Sequence, residues 1–305
     1  MGRGPSGLLL VDKPTGPSSA SLARALGRTL GAAKVGHGGT LDPMASGLLV
    51  VCLGEATKVA GYLLDADKGY EAELTFGVET DTHDAQGRET SWRDASALGE
   101  MALRAALGQL TGAIAQVPPM HAAIKVEGRR LYELARKGQE VARAPRPVVV
   151  HALELVAFWP AAADEPPRAR VRIACSKGTY VRALARDLGA ALGVGAHLSM
   201  LRRTRTAGLD VADARTPEAI ESAHRAGTLV LLAPARAVAH LPQLVLGAEE
   251  ERRVRMGQGI ALPPELAGRA EGTALTLLDE RGALVALAEV RAGRAKVLRG
   301  LNADQ

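Results

Sequence analysis

The sequence predicts a mixed α+β fold with a small β-rich domain at its C-terminal end, and three observations lead there. Strand-like and helix-like segments alternate without the regular strand–helix–strand rhythm of a doubly wound parallel sheet. The stretch KGYEAELTFGVETDT alternates cleanly, with Tyr70, Ala72, Leu74, Phe76 and Val78 on one face, which predicts a long half-buried strand. Past Leu241 the pattern changes to short apolar strands, ALTLLDE, ALVALAEV and AKVLRG, beside one charged helix in AEEERRVRMGQG.

The other elements follow in order. SGLLLVDKPTGPSS reads as a short strand running into a proline and glycine turn, with Ser18 or Ser19 placed to cap a helix through Leu22, Leu26 and Leu30. Residues 47–53 form a continuous apolar run expected to be a buried strand, and 55–66 a helix. Leu103, Leu107 and Leu110 predict an amphipathic helix within 96–110. The segment 118–147 is different, because prolines bracket a strongly basic stretch with one short helix, Arg130 to Lys137; it reads as a surface excursion. Strands resume in PVVVHALELVAFW and RARVRIACS, the latter alternating Arg168, Arg170 and Arg172 with Ala169, Val171 and Ile173, so that one side is basic and the other buried. SKGTYVRALARDLGAALGVGAHLSMLRRTR gives a turn, a helix from about Tyr180 to Leu192, a glycine stop and a basic strand.

Composition narrows the function. The 305 residues are 47% hydrophobic but only 3% aromatic, so the core is built from Leu, Val, Ile and Ala. No apolar run approaches the roughly 20 residues of a membrane span, and the N-terminal apolar run is too short for a secretory signal. Cys52 and Cys175 lie far apart in apolar strands and read as buried thiols, which places the protein in the reducing cytoplasm. A net charge of +5, a pI near 9.4 and an excess of arginine suit a polyanionic partner.

The stretch that raises a chemical question is GHGGTLDPMASG, residues 36–47. It is no dinucleotide fingerprint, since Leu41 stands where a third glycine is required, and it lacks the Gly-Lys-Ser/Thr ending of a P-loop. A single carboxylate, Asp42, sits at its centre. An aspartate in a turn commonly bonds its own backbone; one fixed by Pro43 among glycines that let another chain approach, with His37 nearby, is also a plausible nucleophile.

This stretch, continued as GHGGTLDPMASGLLVVCLGEATK, closely resembles the signature of the TruB family, the bacterial-type tRNA pseudouridine-55 synthases. VDKPTGPSS, KGYEAELTFGVETDTHDAQG, CSKGTYVRALARDLG and GAHLSMLRR match in the family's order, spanning about residues 8 to 205. The resemblance implies a pseudouridine synthase fold around a central mixed, mostly antiparallel sheet over residues 1–238, and a PUA-like RNA-binding domain over 239–305. It implies no cofactor and no metal, tRNA through its T-stem-loop as partner, and a monomer without obligate protein partners or membrane attachment. It makes Asp42 the nucleophile, Arg182 the cation that keeps it charged, and Tyr70 a ring that stacks on uracil and accepts the C5 proton. It gives Tyr180 and Leu201 contacts to the flipped nucleotide and His37 a place in the T-loop, while Lys13 and Lys58 bind phosphate or brace the site. The basic insertion at 118–147 corresponds to a thumb that closes over RNA, with Arg129, Arg130, Arg136, Arg143 and Arg146 on phosphates. Two departures stand out: His121, Ala122 and Ala123 replace the usual Tyr-Ser-Ala, and Met200 replaces an aromatic.

By residue chemistry alone Tyr70 is equally a core residue, Arg182 a solvent-face arginine, and the lysines solvated. Two other functions share these residues. A non-catalytic RNA binder has no need of Asp42, and a nucleoside or glycoside hydrolase normally wants a second carboxylate that the matched motifs lack. Whether the uridine adduct forms at C1′, at C6 or through a glycal is open at this level.

Overall fold

The structure is a computed structural model that describes residues 4–120, 125–126 and 129–130 (backbone), 141–163 and 165–302. Strand β1 (Gly7–Lys13) leads to helix α1 (Ser19–Thr29), capped by Ser18, whose hydroxyl accepts the Ser21 N–H at 3.2 Å. Strands β2 (Val35–His37) and β3 (Ser46–Leu53) flank the glycine-rich stretch. A 3₁₀ turn, Gly54–Val59, precedes α2 (Ala60–Asp65), so only the second half of the expected 55–66 helix is α-helical. Gly54 enters that turn at φ +57°, and the Thr57 hydroxyl donates to its carbonyl at 2.8 Å, which tightens the first turn to 3₁₀ geometry.

Then come β4 (Lys68–Phe76), a hairpin of β5 (Val78–Thr80) and β6 (Glu89–Trp92), α3 (Glu100–Gln109) and β7 (Gly112–Gln116). A short hairpin joins β8 (Lys125–Val126) to β9 (Arg129–Arg130). Arg130 is paired there with Lys125, so the helix expected over 130–137 does not start at Arg130; residues 131–137 and His121, Ala122 and Ala123 lie outside the described residues. After β10 (Arg146–Trp159) and β11 (Arg168–Cys175) follow α4 (Val181–Ala191), β12 (Ala196–Thr206), β13 (Leu209–Asp210) and α5 (Pro217–Arg225). The C-terminal part holds β14 (Gln243–Val245), α6 (Ala248–Arg255), β15 (Ile260–Ala261), α7 (Pro264–Ala267), β16 (Ala274–Leu278), β17 (Leu284–Arg291) and β18 (Arg294–Gly300).

These elements form two compact units, residues 1–66 with 205–305, and residues 67–204. In the first, β3 is flanked by β1 and β2, antiparallel to both, and is apolar throughout because both of its faces are covered. Leu49, Val51 and Leu53 meet Leu22 and Leu26 of α1 and Ile220 of α5 on one face. Leu48, Val50 and Cys52 meet Val59, Leu63 and, from the C-terminal sheet, Leu284 and Leu287 on the other. That sheet runs β14-β16-β17-β18-β15, antiparallel except for the β14–β16 pair, with its own cluster around Leu246, Val254, Leu275 and Val290. The β1–β3 register sets Lys13 opposite Gly47, which brings the lysine to the glycine-rich stretch.

In the second unit the strand order is β12-β4-β11-β10-β7, with β4, β11, β10 and β7 antiparallel in succession. The alternation of β4 is real: Tyr70, Ala72, Leu74, Phe76 and Val78 are all buried. The side of β11 expected to be basic is instead neutralised. Arg168 pairs with Glu165 at 2.9 Å, Arg170 with Glu73 at 2.5 Å and Arg172 with Glu71 at 3.6 Å, and both Arg168 and Arg170 lie over the Trp159 ring. Cross-strand register places each glutamate of β4 directly opposite an arginine of β11, and opposite charges on facing strands pair. Cys52 and Cys175 are buried, which pushes their thiols up to about 12 and about 11, so neither is a nucleophile. No helix among the described residues is long and apolar enough to cross a membrane.

Candidate active site

Asp42 is a turn residue by its backbone: the Ala45 N–H donates to the Asp42 carbonyl at 3.0 Å. The turn is clamped on both sides. Ahead of it, Ser19 accepts the Leu41 N–H at 2.7 Å and donates to the Leu41 carbonyl at 2.9 Å. Behind it, the Lys13 ammonium donates to the carbonyls of Ala45 at 2.6 Å, Pro14 at 3.0 Å and Pro43 at 3.5 Å, and the Gly16 N–H donates to Pro43 at 2.8 Å. Lys13 is fully buried. Leaving an ammonium in such a place without acceptors costs several kcal/mol, and the carbonyl cage offsets part of that cost. In this geometry Lys13 braces the turn that carries Asp42. Held this way, the partly exposed Asp42 side chain is presented on a rigid turn.

One glycine of this stretch, Gly38, serves the protein's own packing. A Cβ on Gly38 would lie 2.6 Å from Leu63, so the missing side chain admits α2 and not another molecule, which corrects the expectation for that position. His37 closes β2 opposite Val51 and is partly buried. Lys58 lies apart from the turn in its contacts: its ammonium binds Glu55 at 2.5 Å and the Gly300 carbonyl at 2.7 Å, tying the 3₁₀ turn to the end of β18.

The second unit holds Tyr70, Tyr180, Arg182 and Leu201. Tyr70 is 9% exposed on β4 and hydrogen-bonds Arg203 of β12, an arginine that is 1% exposed. Burial pulls the Arg203 pKa down, while the charge and hydrogen bond of Tyr70 pull it back up. Leu201 is buried two residues before it on β12. Tyr180 is the residue that starts α4, and the buried amide of Gln116 holds both its backbone groups, accepting its N–H at 2.8 Å and donating to its carbonyl at 3.2 Å. Arg182, two residues on, is 5% exposed, which removes the solvent-face alternative. It donates to the Thr82 carbonyl at 3.1 Å and pairs with buried Asp84 at 3.5 Å.

Asp84 escaped the sequence reading, as did Arg203 and Gln116. Its Oδ1 accepts from the Thr82 hydroxyl at 2.7 Å and the Gln86 N–H at 3.0 Å, and its backbone bridges to Leu198 of β12. The preceding His83 adopts φ +61°, a conformation that costs a non-glycine residue about 1–3 kcal/mol. The loop closes tightly, since a Cβ on Gly87 would lie 2.3 Å from the Thr82 hydroxyl. Burial, then the charges of Arg186, Arg182 and Arg143, lower the His83 pKa to about 4. The unfolded chain binds this proton near pH 6.5, so His83 contributes stability fully above that pH and loses it as pH falls toward 4. We expect His83 to titrate near pH 4 in imidazole NMR spectra, assigned with His83→Asn; a midpoint near 6.5 would contradict this environment.

Comparisons with known proteins decide the family. Residues 27–181 match the model of the TruB family pseudouridylate synthase N-terminal domain, and residues 182–237 match that of the tRNA pseudouridylate synthase B C-terminal domain. The chain belongs to the TruB family. Among its relatives, tRNA pseudouridine synthase B of Aromatoleum aromaticum is 48% identical over 86% of this chain and 83% of its own length. The enzyme of the same name from Ralstonia nicotianae is 46% identical over 96% and 92%. Among solved structures, a chain of a Cbf5-Nop10-Gar1 complex superposes with a TM-score of 0.74 at 25% identity, covering 96% of this chain and 84% of that one. An H/ACA RNP bound to a substrate RNA gives 0.72 at 24%, which speaks to fold alone. The TruB architecture is therefore an α+β pseudouridine synthase fold with a mixed, mostly antiparallel sheet and a β-rich, PUA-like C-terminal domain.

Proposed function

We infer that this TruB-family chain is a tRNA pseudouridine synthase that isomerises the T-loop uridine at position 55. The observation that carries this is family membership, with relatives of that name 46–48% identical over 86% or more of the chain. In the reaction the N1–C1′ bond breaks, the uracil turns, and a C5–C1′ bond forms. The C5 proton is lost and N1 gains one, so no atom is added overall. The target base first leaves its stack, at a cost of a few kcal/mol recovered by contacts in the site.

The family resemblance gives Asp42 the role of nucleophile, and the clamped turn fits it, because a nucleophile works best when its approach is fixed before substrate arrives. Tyr70 takes the part of stacking ring and proton acceptor, supported by its burial and its bond to Arg203. Arg182 takes that of the cation that keeps the Asp42 carboxylate ionised, supported by its own burial. Tyr180, Leu201 and His37 are assigned to the flipped nucleotide and the T-loop, Arg143 and Arg146 to phosphates. The same reading describes a monomer acting in the cytoplasm, where buried free thiols persist.

The test is release of tritium from [5-³H]uridine. Purified protein should release one equivalent per unmodified tRNA transcript and none from free uridine. Binding of tRNA without release would favour the non-catalytic reading, and formation of free uracil from uridine, with its C5 tritium retained, would favour a hydrolase-like one.

A further inference from the structure

We propose that Ser19 is a positioning residue for the pseudouridylation step: its hydroxyl fixes the peptide plane from which the Asp42 side chain projects. The proposal rests on the reading of Asp42 as nucleophile. The Leu41 carbonyl and the Asp42 N–H belong to one planar peptide unit. Ser19 donates to that carbonyl at 2.9 Å and accepts the N–H of the preceding unit at 2.7 Å, so it grips the backbone on both sides of Leu41. On the far side, the Ala45 N–H holds the Asp42 carbonyl at 3.0 Å, and Lys13 and Gly16 hold Pro43. The two planes that meet at the Asp42 Cα are therefore each fixed by hydrogen bonds, and with them the direction of its Cα–Cβ bond.

The chemistry of the position is specific. One atom must donate and accept at once within a site that is 1% exposed, and a hydroxyl does so in the smallest volume. Ser19 is also the first residue of α1, so the grip transmits a rigid helix to the turn. Its neighbour Ser18 does the capping, bonding Ser21 in place of Leu41, which separates the helix-stabilising role from the positioning role.

The experiment compares Ser19→Ala, Ser19→Thr, Ser18→Ala and Asp42→Ala in steady-state pseudouridylation of a tRNA transcript, with tRNA affinity by filter binding and thermal melting alongside. A displacement of the nucleophile by about 1 Å costs on the order of 10²-fold in rate. We expect Ser19→Ala to lower kcat about 10- to 100-fold with KM and tRNA affinity within about twofold of wild type, and Ser19→Thr to recover most of kcat. Ser18→Ala should lower the melting temperature yet keep the wild-type kcat. If Ser19→Ala does not fold, Ser19→Cys takes its place with the same split expected, since a thiol is a weaker donor and acceptor of similar size. Wild-type kcat in Ser19→Ala, or in Ser19→Cys where that takes its place, or an equal loss in Ser18→Ala, overturns the proposal while leaving the function intact. Wild-type activity in Asp42→Ala would instead overturn the reading on which it rests.

Discussion

Replacement of Asp42 by alanine abolishes tritium release while leaving the protein folded and able to bind tRNA. The turn that carries Asp42 is held by backbone carbonyls and N–H groups gripped by Ser19, Lys13 and Gly16. Those bonds survive the substitution, so the variant should keep its fold. Loss of a nucleophile removes the step itself, and comparable losses in covalent catalysis are on the order of 10⁴- to 10⁶-fold. Single-turnover release from labelled tRNA, with filter binding as control, reads this directly. A variant that retained a tenth of the rate would show that the carboxylate assists without being the reagent.

Asp84→Ala should produce the second largest effect, and on two readouts at once. Asp84 is a counter-charge of Arg182, and the facing side chains are 7% and 6% exposed. Removing one member of so buried a pair costs about 3–5 kcal/mol, because the remaining charge loses a buried counter-ion. The loss also releases the Thr82 hydroxyl and the Gln86 N–H, so the loop through His83 loosens. We expect a lower urea midpoint, and a kcat reduced at least 10-fold even at temperatures where the variant is fully folded. Asp84→Asn keeps an acceptor for Thr82 and Gln86 and should recover stability more than rate. Equal recovery of both would mean that Asp84 acts on the rate only as a loop brace.

The elements were legible in the sequence wherever one face is apolar over a long enough window. Tyr70 to Val78 on β4, Leu22 and Leu26 on α1, and the unbroken apolar run of β3 all fold as their periodicity requires. The nucleophile candidate was visible because glycines and a proline surround a lone acid. What holds it, and what holds the other candidates in the second unit, was not. Ser19 reaches Leu41 across 22 residues, the Thr82 carbonyl is 100 residues from Arg182, and Gln116 is 64 from Tyr180. A serine before a helix reads as a cap, an aspartate in TDTHDAQG as a turn residue, and a lysine in VDKPTG as solvated. Only the tertiary fold turns these into a clamp, a counter-charge and a buried brace. The neutralised side of β11 escaped for the same reason, since pairing with Glu71 and Glu73 depends on register between strands about 100 residues apart.

The central claim is that this TruB-family chain isomerises one defined uridine of tRNA, and position mapping tests it most directly. An unmodified tRNA transcript is incubated with the purified protein, treated with a carbodiimide that marks pseudouridine, and read by primer extension. The account predicts a single strong stop reporting position 55 of the T-loop, absent with Asp42→Ala protein. No stop, or stops at other uridines with position 55 unmarked, would contradict it.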